Sequence, residues 1–205
     1  MRWLAWPLPA TEGLDPSHGW WALRFTPCVA LLEEGLLLEV SSTERLWGGI
    51  EAMRAALAEA AREAGMVGTA PCAEASTALQ ALALLRLRMA GRPVPARLPH
   101  GLPLATLSAL RPHLQSLRQL GCRCWGDVRG LPRAGLARRF GANLLLALDQ
   151  AHGECAHRLP WLELPERFER ELELPQAIQA APQLLQAAWH LLRAMRSWLA
   201  ARHQG

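Results

Sequence analysis

Residues 91–103, GRPVPARLPHGLP, place four prolines and two glycines in one short stretch. Proline has no N–H to give a helix or a sheet ladder, and its ring fixes φ. Neither element runs through such a segment. Residues 91–102 are therefore expected to be a Pro-rich linker between two differently built regions. With 51% apolar residues, the 205-residue chain can bury a substantial core.

Strand signals are confined to the N-terminal side. Residues 1–9 (MRWLAWPLP) read as a short strand stopped by prolines, and 11–19 as a loop. Residues 28–32 and 36–40 flank Glu33-Glu34-Gly35, the pattern of a β-hairpin. Leu36, Leu37 and Leu38 are continuous rather than alternating, which predicts a strand covered on both faces. After Gly48-Gly49, residues 51–64 carry Met53, Leu57 and Ala60 at helical spacing, with Gly65 as C-cap. A short strand is predicted at 66–70 and a second helix at 73–89. This order implies an α+β layer with helices on one face of a sheet.

Beyond the linker the pattern changes. Residues 104–153 carry no strand signal and read as short helices broken by Gly121, Gly126, Gly130-Leu131-Pro132 and Gly141. Residues 159–175 are a connector with a strand-like stretch at 170–174. Residues 183–202 form an amphipathic helix whose stripe is Leu184, Leu185, Ala188, Leu191, Leu192, Met195 and Leu199. That stripe needs a sheet or a second helix to pack on.

All 22 basic side chains are arginine, against 18 acids. The net charge of +4 is small, but it is unevenly placed. Residues 1–102 hold 9 Arg and 10 acids, residues 159–205 hold 5 of each, and residues 103–158 hold 8 Arg and only 3 acids. A local basic patch on an otherwise balanced chain points to an anionic partner, commonly nucleic acid, or to a solvated Arg-rich face.

Other chemistry is poorly supported. No Walker loop, G-x-G-x-x-G or G-x-S-x-G occurs. Cys122-x-Cys124 has too short a spacing and no second pair, so it reads as reduced and partly buried rather than as a zinc site. His100, His113, His152 and His157 form no ligand motif. Glu33, Glu34 and Glu39 cluster around the hairpin, but only Glu39 lies within a strand. A two-metal site is therefore expected to be absent. No apolar run reaches membrane-spanning length, and residues 1–9 lack the apolar core of a signal peptide. Five sparse cysteines fit a reducing compartment, the cytoplasm.

The informative segment is residues 117–153. Short helices joined by glycine turns present backbone N–H groups to phosphate without reading sequence. Arg133, Arg138 and Arg139 follow the Gly130-Leu131-Pro132 break, and on a helix Arg138 and Arg139 lie about 100° apart, close enough to reach one backbone.

The pattern LxxLGCRxxGDVRxLPRxGLxRRFG (117–141) resembles the thumb of Y-family translesion DNA polymerases, and more narrowly their catalytically degenerate ImuB-like branch. Upstream, ALRFTPCVALLEEGLLLEVSSTERLWGG (22–49) and GTAPCAEASTAL (68–79) are similar to the palm of that branch. Downstream, PWLELPERFERELELP (160–175) is similar to its connector into the little finger. The resemblance implies a partial palm at 1–90, a helical thumb of helix-hairpin-helix type at 103–158, and the start of a little finger at 159–205. It also implies a shortened chain, because only about ten residues (10–19) stand where the family has its fingers.

The resemblance further implies loss of catalysis. The palm Asp-Glu pair of an active member falls on Glu34 and Gly35, and the first strand, residues 1–9, has no acid. No catalytic residue, metal or cofactor is therefore expected. The implied role is a DNA-binding adaptor in damage-induced translesion synthesis, or SOS mutagenesis, touching the primer-template backbone without sequence preference. Arg138 and Arg139 rank first, Arg133 second, Arg123 and Arg129 third. The turn at Leu110-Arg111-Pro112 is a poor phosphate donor because Pro112 has no N–H. The implied partners are a RecA-like protein, an error-prone replicative-type polymerase and a sliding clamp. Two alternatives stay open: a minimal metal-dependent nucleotidyl transferase using Glu33, Glu34 and Glu39, and a partner-docking fragment with no DNA role.

Overall fold

A computed structural model describes residues 1–8, 14–66, 72–172 and 181–202. It is mixed α and β, with short antiparallel strand pairs and predominantly helical remaining structure. The chain divides into two compact units, each built from two stretches: Met1–Pro7 with Ala70–Leu159, and Leu8–Thr69 with Pro160–Gly205.

In the first unit, β1 (Trp3–Pro7) pairs antiparallel with β4 (Ala73–Ala75), Trp3 opposite Ala75 and Ala5 opposite Ala73. Helix α3 (Ala78–Met89) packs on both strands. Ala81, Leu82, Ala83, Leu84, Leu85 and Leu87 are all buried, so this helix is apolar nearly all round and forms the centre of the unit. Thr77 caps it, its Oγ1 accepting from the Gln80 N–H at 3.2 Å.

This corrects the expectation of a helix from residue 73. Residues 73–75 are strand, and the helix starts only after the Thr77 cap. The strand expected at 66–70 falls mostly outside the described residues, and Met66 is not in a strand.

Four further helices follow: α4 (Leu114–Gln119), α5 (Trp125–Arg129), α6 (Arg133–Phe140) and α7 (Ala142–His152). They are the short helices the glycine breaks predict. The end of the Pro-rich segment is fastened to α5. The Trp125 and Gly126 N–H groups donate to the Leu102 and His100 carbonyls at 2.9 and 2.8 Å. Trp125, fully buried, donates its Nε1–H to the Pro103 carbonyl at 3.1 Å. A Cβ at Gly126 would stand 3.0 Å from the His100 Cβ, so glycine permits the close approach.

In the second unit, β2 (Val29–Leu32) and β3 (Gly35–Glu39) form the expected hairpin, Val29 opposite Leu38 and Leu31 opposite Leu36. Glu33 takes φ +52° in the two-residue turn. Leu36, Leu37 and Leu38 are all fully buried, as a doubly covered strand requires. Helix α1 (Ser17–Trp20) runs into a 3-10 turn (Trp21–Arg24), and α2 (Ile50–Glu63) buries Met53, Leu57, Ala60 and Ala61.

The last helix, α8 (Ala181–Arg202), packs on α1 and the turn after it. Ser197 carries this junction: its Oγ accepts from the Trp21 N–H at 3.0 Å and donates to the Ser17 carbonyl at 2.7 Å. The buried side of α8 is Ala194 and Ser197, while most of the apolar stripe faces outward. Before α8, residues 170–172 are not a strand, against expectation, and 173–174 lie outside the described residues. Instead Arg170 pairs with Asp15 at 2.8 Å and lies over the Trp20 ring.

Candidate nucleic-acid interface

Helices α6 and α7 form a hairpin. Pro132 precedes α6 with an extended ψ, the conformation that a residue before the first helical turn adopts. Gly141 joins the two helices at φ +89° and ψ 159°, a region essentially closed to side-chain-bearing residues. Leu136 is the buried residue of α6; Leu144, Leu148 and Ala151 are those of α7.

The five arginines named from sequence separate into two kinds. Arg133 opens α6 and grips Asp149 of α7 through two bonds of 2.8 and 2.7 Å. This fork-on-carboxylate geometry is the strongest arginine pairing available. It holds the Asp149 carboxyl below the usual range and raises the Arg133 pKa further. Arg129 at the end of α5 pairs with Glu154 just beyond α7. Both side chains brace the hairpin.

Arg138 and Arg139 lie together in the last turn of α6, exposed, and among the described residues neither is paired with a carboxylate. Arg139 covers the Phe140 ring at 5.6 Å. Arg123 is exposed in the loop before α5. There the Asp127 carboxylate accepts from the backbone N–H groups of Arg123 and Cys124, at 2.7 and 3.0 Å. Those bonds hold Asp127 below the ordinary carboxylate range.

Sequence reasoning passed over Arg118. It lies in the last turn of α4, exposed, next to the turn that leads to Arg123, which is closed by Gly121 at φ +85° and a 3.0 Å bond from the Cys122 N–H to the Leu117 carbonyl. The signal available was its place in the basic segment, four residues before the Cys122-x-Cys124 pair.

The remaining candidates behave as structure. Burial pushes the Cys122 and Cys124 thiols up, so neither is a thiolate near neutrality. His152 sits against His100 and Trp125, with ring centroids 5.3 and 6.2 Å away, and its Nδ1 lies 2.8 Å from the Leu148 carbonyl. Burial first, then the nearby Arg129 and His100, keep it neutral. Pro112 lies inside a 3-10 helix (Ser108–His113) that runs into α4, so the turn there has no N–H at that position.

On the strand side, Glu33 and Glu34 occupy the hairpin turn. Glu39 at the end of β3 accepts from the Ser41 N–H at 3.1 Å. Among the described residues, no group of three or more His, Cys, Asp or Glu is arranged to hold a metal ion. No described helix is long and apolar enough to cross a membrane.

Comparison with known proteins bears on this geometry. Protein ImuB from two strains of Caulobacter vibrioides, NA1000/CB15N and ATCC 19089/CIP 103742/CB 15, is 34% identical to this chain over 160 residues, which is 73% of the chain. This chain is ImuB-like. It spans 35% of the length of those ImuB proteins. No family model matches it, and no solved structure does.

Proposed function

We propose that this ImuB-like chain is a non-catalytic, Y-family polymerase-like protein that serves as a DNA-binding adaptor in damage-induced translesion synthesis. Residues 1–90 correspond to a partial palm, 91–102 to a linker, 103–158 to the helix-hairpin-helix thumb and 159–205 to the start of a little finger. The observation that carries the reading is the sorting of arginines on the α6–α7 hairpin. Arg129 and Arg133 are taken up by Glu154 and Asp149. Arg138, Arg139, Arg123 and Arg118 remain exposed. Such side chains bind phosphate through charge and shape, without base readout. The ImuB likeness supports, as part of this proposal, a role with DNA in the cytoplasm alongside a RecA-like protein, an error-prone polymerase and a sliding clamp.

Absence of catalysis is part of the proposal. Gly35 opens β3 where an active member has a metal-binding acid, and β1 carries no acid at all. Without metal ions to align the 3′-hydroxyl and the triphosphate, phosphoryl transfer lacks its main source of rate.

The test is fluorescence anisotropy with a labelled primer-template duplex across a salt series. Binding is expected to fall with salt, and Arg138→Ala/Arg139→Ala to reduce the log–log slope by about 1.8, two phosphates at about 0.9 each. A folded chain that ignores the duplex at low salt refutes the DNA reading. Robust Mg²⁺-dependent primer extension refutes the non-catalytic one.

A further inference from the structure

We propose, resting on the DNA reading above, that His113 is a further phosphate-binding residue of the same surface, and that the duplex is bound together with a proton on its imidazole. His113 ends the 3-10 helix Ser108–His113, which packs on α4 and α7. Its ring lies 5.1 Å from the Phe140 ring, centroid to centroid, at 56°. Phe140 ends α6, and the Arg139 guanidinium covers the same ring at 5.6 Å. One phenyl ring thus touches both the imidazole and the guanidinium. A DNA strand carries a charge every 3.4 Å or about that along its axis, so a strand passing Arg139 brings a phosphate to His113 as well.

The imidazole is open to such a contact. His113 is half-exposed. Its ring nitrogens reach solvent and, among the described residues, have no hydrogen-bond partner. His152 is the contrast, with Nδ1 against the Leu148 carbonyl and its ring against His100 and Trp125.

The charged groups on the elements around His113 are cationic or already engaged. Arg111 shares its 3-10 helix, Arg118 lies on α4, and Arg133, Arg138 and Arg139 lie on α6; none of these three elements carries an acid. The turn Leu104–Thr106, which packs on the same 3-10 helix, has no charged group. On α7 the acid is Asp149, gripped by Arg133, and the titratable group at its far end is His152. Glu154, just beyond α7, pairs with Arg129. The surrounding elements therefore offer a protonated His113 no spare carboxylate, and a bound phosphate supplies the anion. An opposite charge at hydrogen-bonding distance favours the protonated imidazole. Proton and duplex then strengthen each other's binding, by linkage. DNA affinity accordingly rises as pH falls through the ordinary imidazole range, about 6.5, and is lost again as pH rises. An arginine at this position would hold phosphate at any pH; histidine makes the contact conditional on a proton.

Anisotropy titrations of the full chain with a labelled primer-template duplex, at pH 8.0 and pH 6.0 and each across a salt series, test this. Affinity at pH 6.0 is expected to be about fivefold that at pH 8.0, the effect of one close phosphate on one imidazole. The log–log salt slope should be steeper at pH 6.0 by up to about 0.9, one further phosphate neutralised. His113→Gln should abolish both differences. His113→Arg should abolish them too, but by keeping the steeper slope at pH 8.0. Circular dichroism of the three proteins at both pH values separates folding from binding, since His152 and His157 also titrate. Affinity and slope that ignore pH, or a pH dependence that survives in both variants, overturn the proposal and leave the DNA reading standing. A folded chain that ignores the duplex at both pH values overturns the two together.

Discussion

The C-terminal carbonyls of α7 have no helical partner, and one of them is held by the start of α3. Ala151 is fully buried and lies one residue from the end of its helix. Its carbonyl accepts from Gln80 Nε2 at 2.6 Å and from Thr77 Oγ1 at 3.1 Å. Thr77 Oγ1 also accepts the Gln80 N–H that it caps. Two side chains therefore converge on one orphan carbonyl. Thr77→Ala removes the cap and one of the two bonds, for about 1 kcal/mol. Gln80→Ala removes the other bond and a buried side chain, for about 1–2 kcal/mol. In either single variant the carbonyl keeps a partner.

The double variant leaves the carbonyl buried with neither. An unpaired buried acceptor costs about 1–3 kcal/mol, so the double variant should lose about 1–2 kcal/mol more than the two singles together. Urea unfolding of the four proteins in a mutant cycle measures this coupling. Thr77→Ser is the control, since it keeps both roles of the hydroxyl and should cost little. Amide exchange in residues 142–153 should report the opening locally. Additivity within about 0.5 kcal/mol would refute the reasoning, because it would mean the carbonyl finds water or another donor at no cost.

Three further outcomes are expected. Gly141→Ala should destabilise the hairpin by about 1–3 kcal/mol, read by thermal unfolding, because φ +89° with ψ 159° is tolerated essentially by glycine alone. Asp149→Asn should free Arg133 and steepen the salt dependence of duplex binding by about one unit of slope, read by anisotropy; an unchanged slope would mean Arg133 points away from the DNA. Burial sets the folded pKa of His152 and His157 below 6.5, so the unfolded chain takes up protons first as pH falls. Their contribution is therefore complete above about pH 6.5 and is lost below it, through the folded pKa. His152→Gln should flatten this part of the stability–pH curve, with Arg129, His100 and Glu154 the charges that act on the native imidazole.

The local elements were legible where one signal dominated. The Glu33-Glu34 turn, the continuous Leu36–Leu38 run and the glycine punctuation after residue 104 each have a single reading. The 73–89 stretch did not. Its alanines suit a helix by propensity, but Thr77 competes for the backbone as an N-cap, and Ala73–Ala75 gains its ladder only from β1, about seventy residues away in sequence. The α8 stripe shows a different gap. Periodicity found the apolar face, but which face a helix buries depends on what it meets, and here the junction at Ser17 and Trp21 selects Ala194 and Ser197. Among the arginines, sequence supplied the segment but not the sorting. Arg133 and Asp149 are sixteen residues apart, and only the return of α7 along α6 brings them together.

That sorting changes what the charge excess of residues 103–158 amounts to. Its three acids are all used inside the unit. Asp149 holds Arg133, Glu154 pairs with Arg129, and Asp127 accepts backbone N–H groups at the start of α5. The two paired arginines cancel two acids, and the third acid faces backbone N–H groups. Of the six arginines left, Arg111 donates its Nε–H to the Ala105 carbonyl at 3.0 Å, and Arg118, Arg123, Arg138, Arg139 and Arg158 are exposed beside it. The same carboxylates that fix the hairpin are thereby kept from screening its outer arginines. The charge presented to an anion is cationic and mounted on braced helices, so binding should not have to order the side chains' supports first. Loosening the braces should therefore weaken duplex binding even though it liberates cations. Gly141→Ala and Asp149→Asn pull these two effects apart: the first disturbs the mount and leaves the charge intact, while the second adds a free charge and removes a brace. Weaker binding at unchanged salt slope from Gly141→Ala, with a steeper slope from Asp149→Asn, is the pattern a preorganised phosphate-binding hairpin requires.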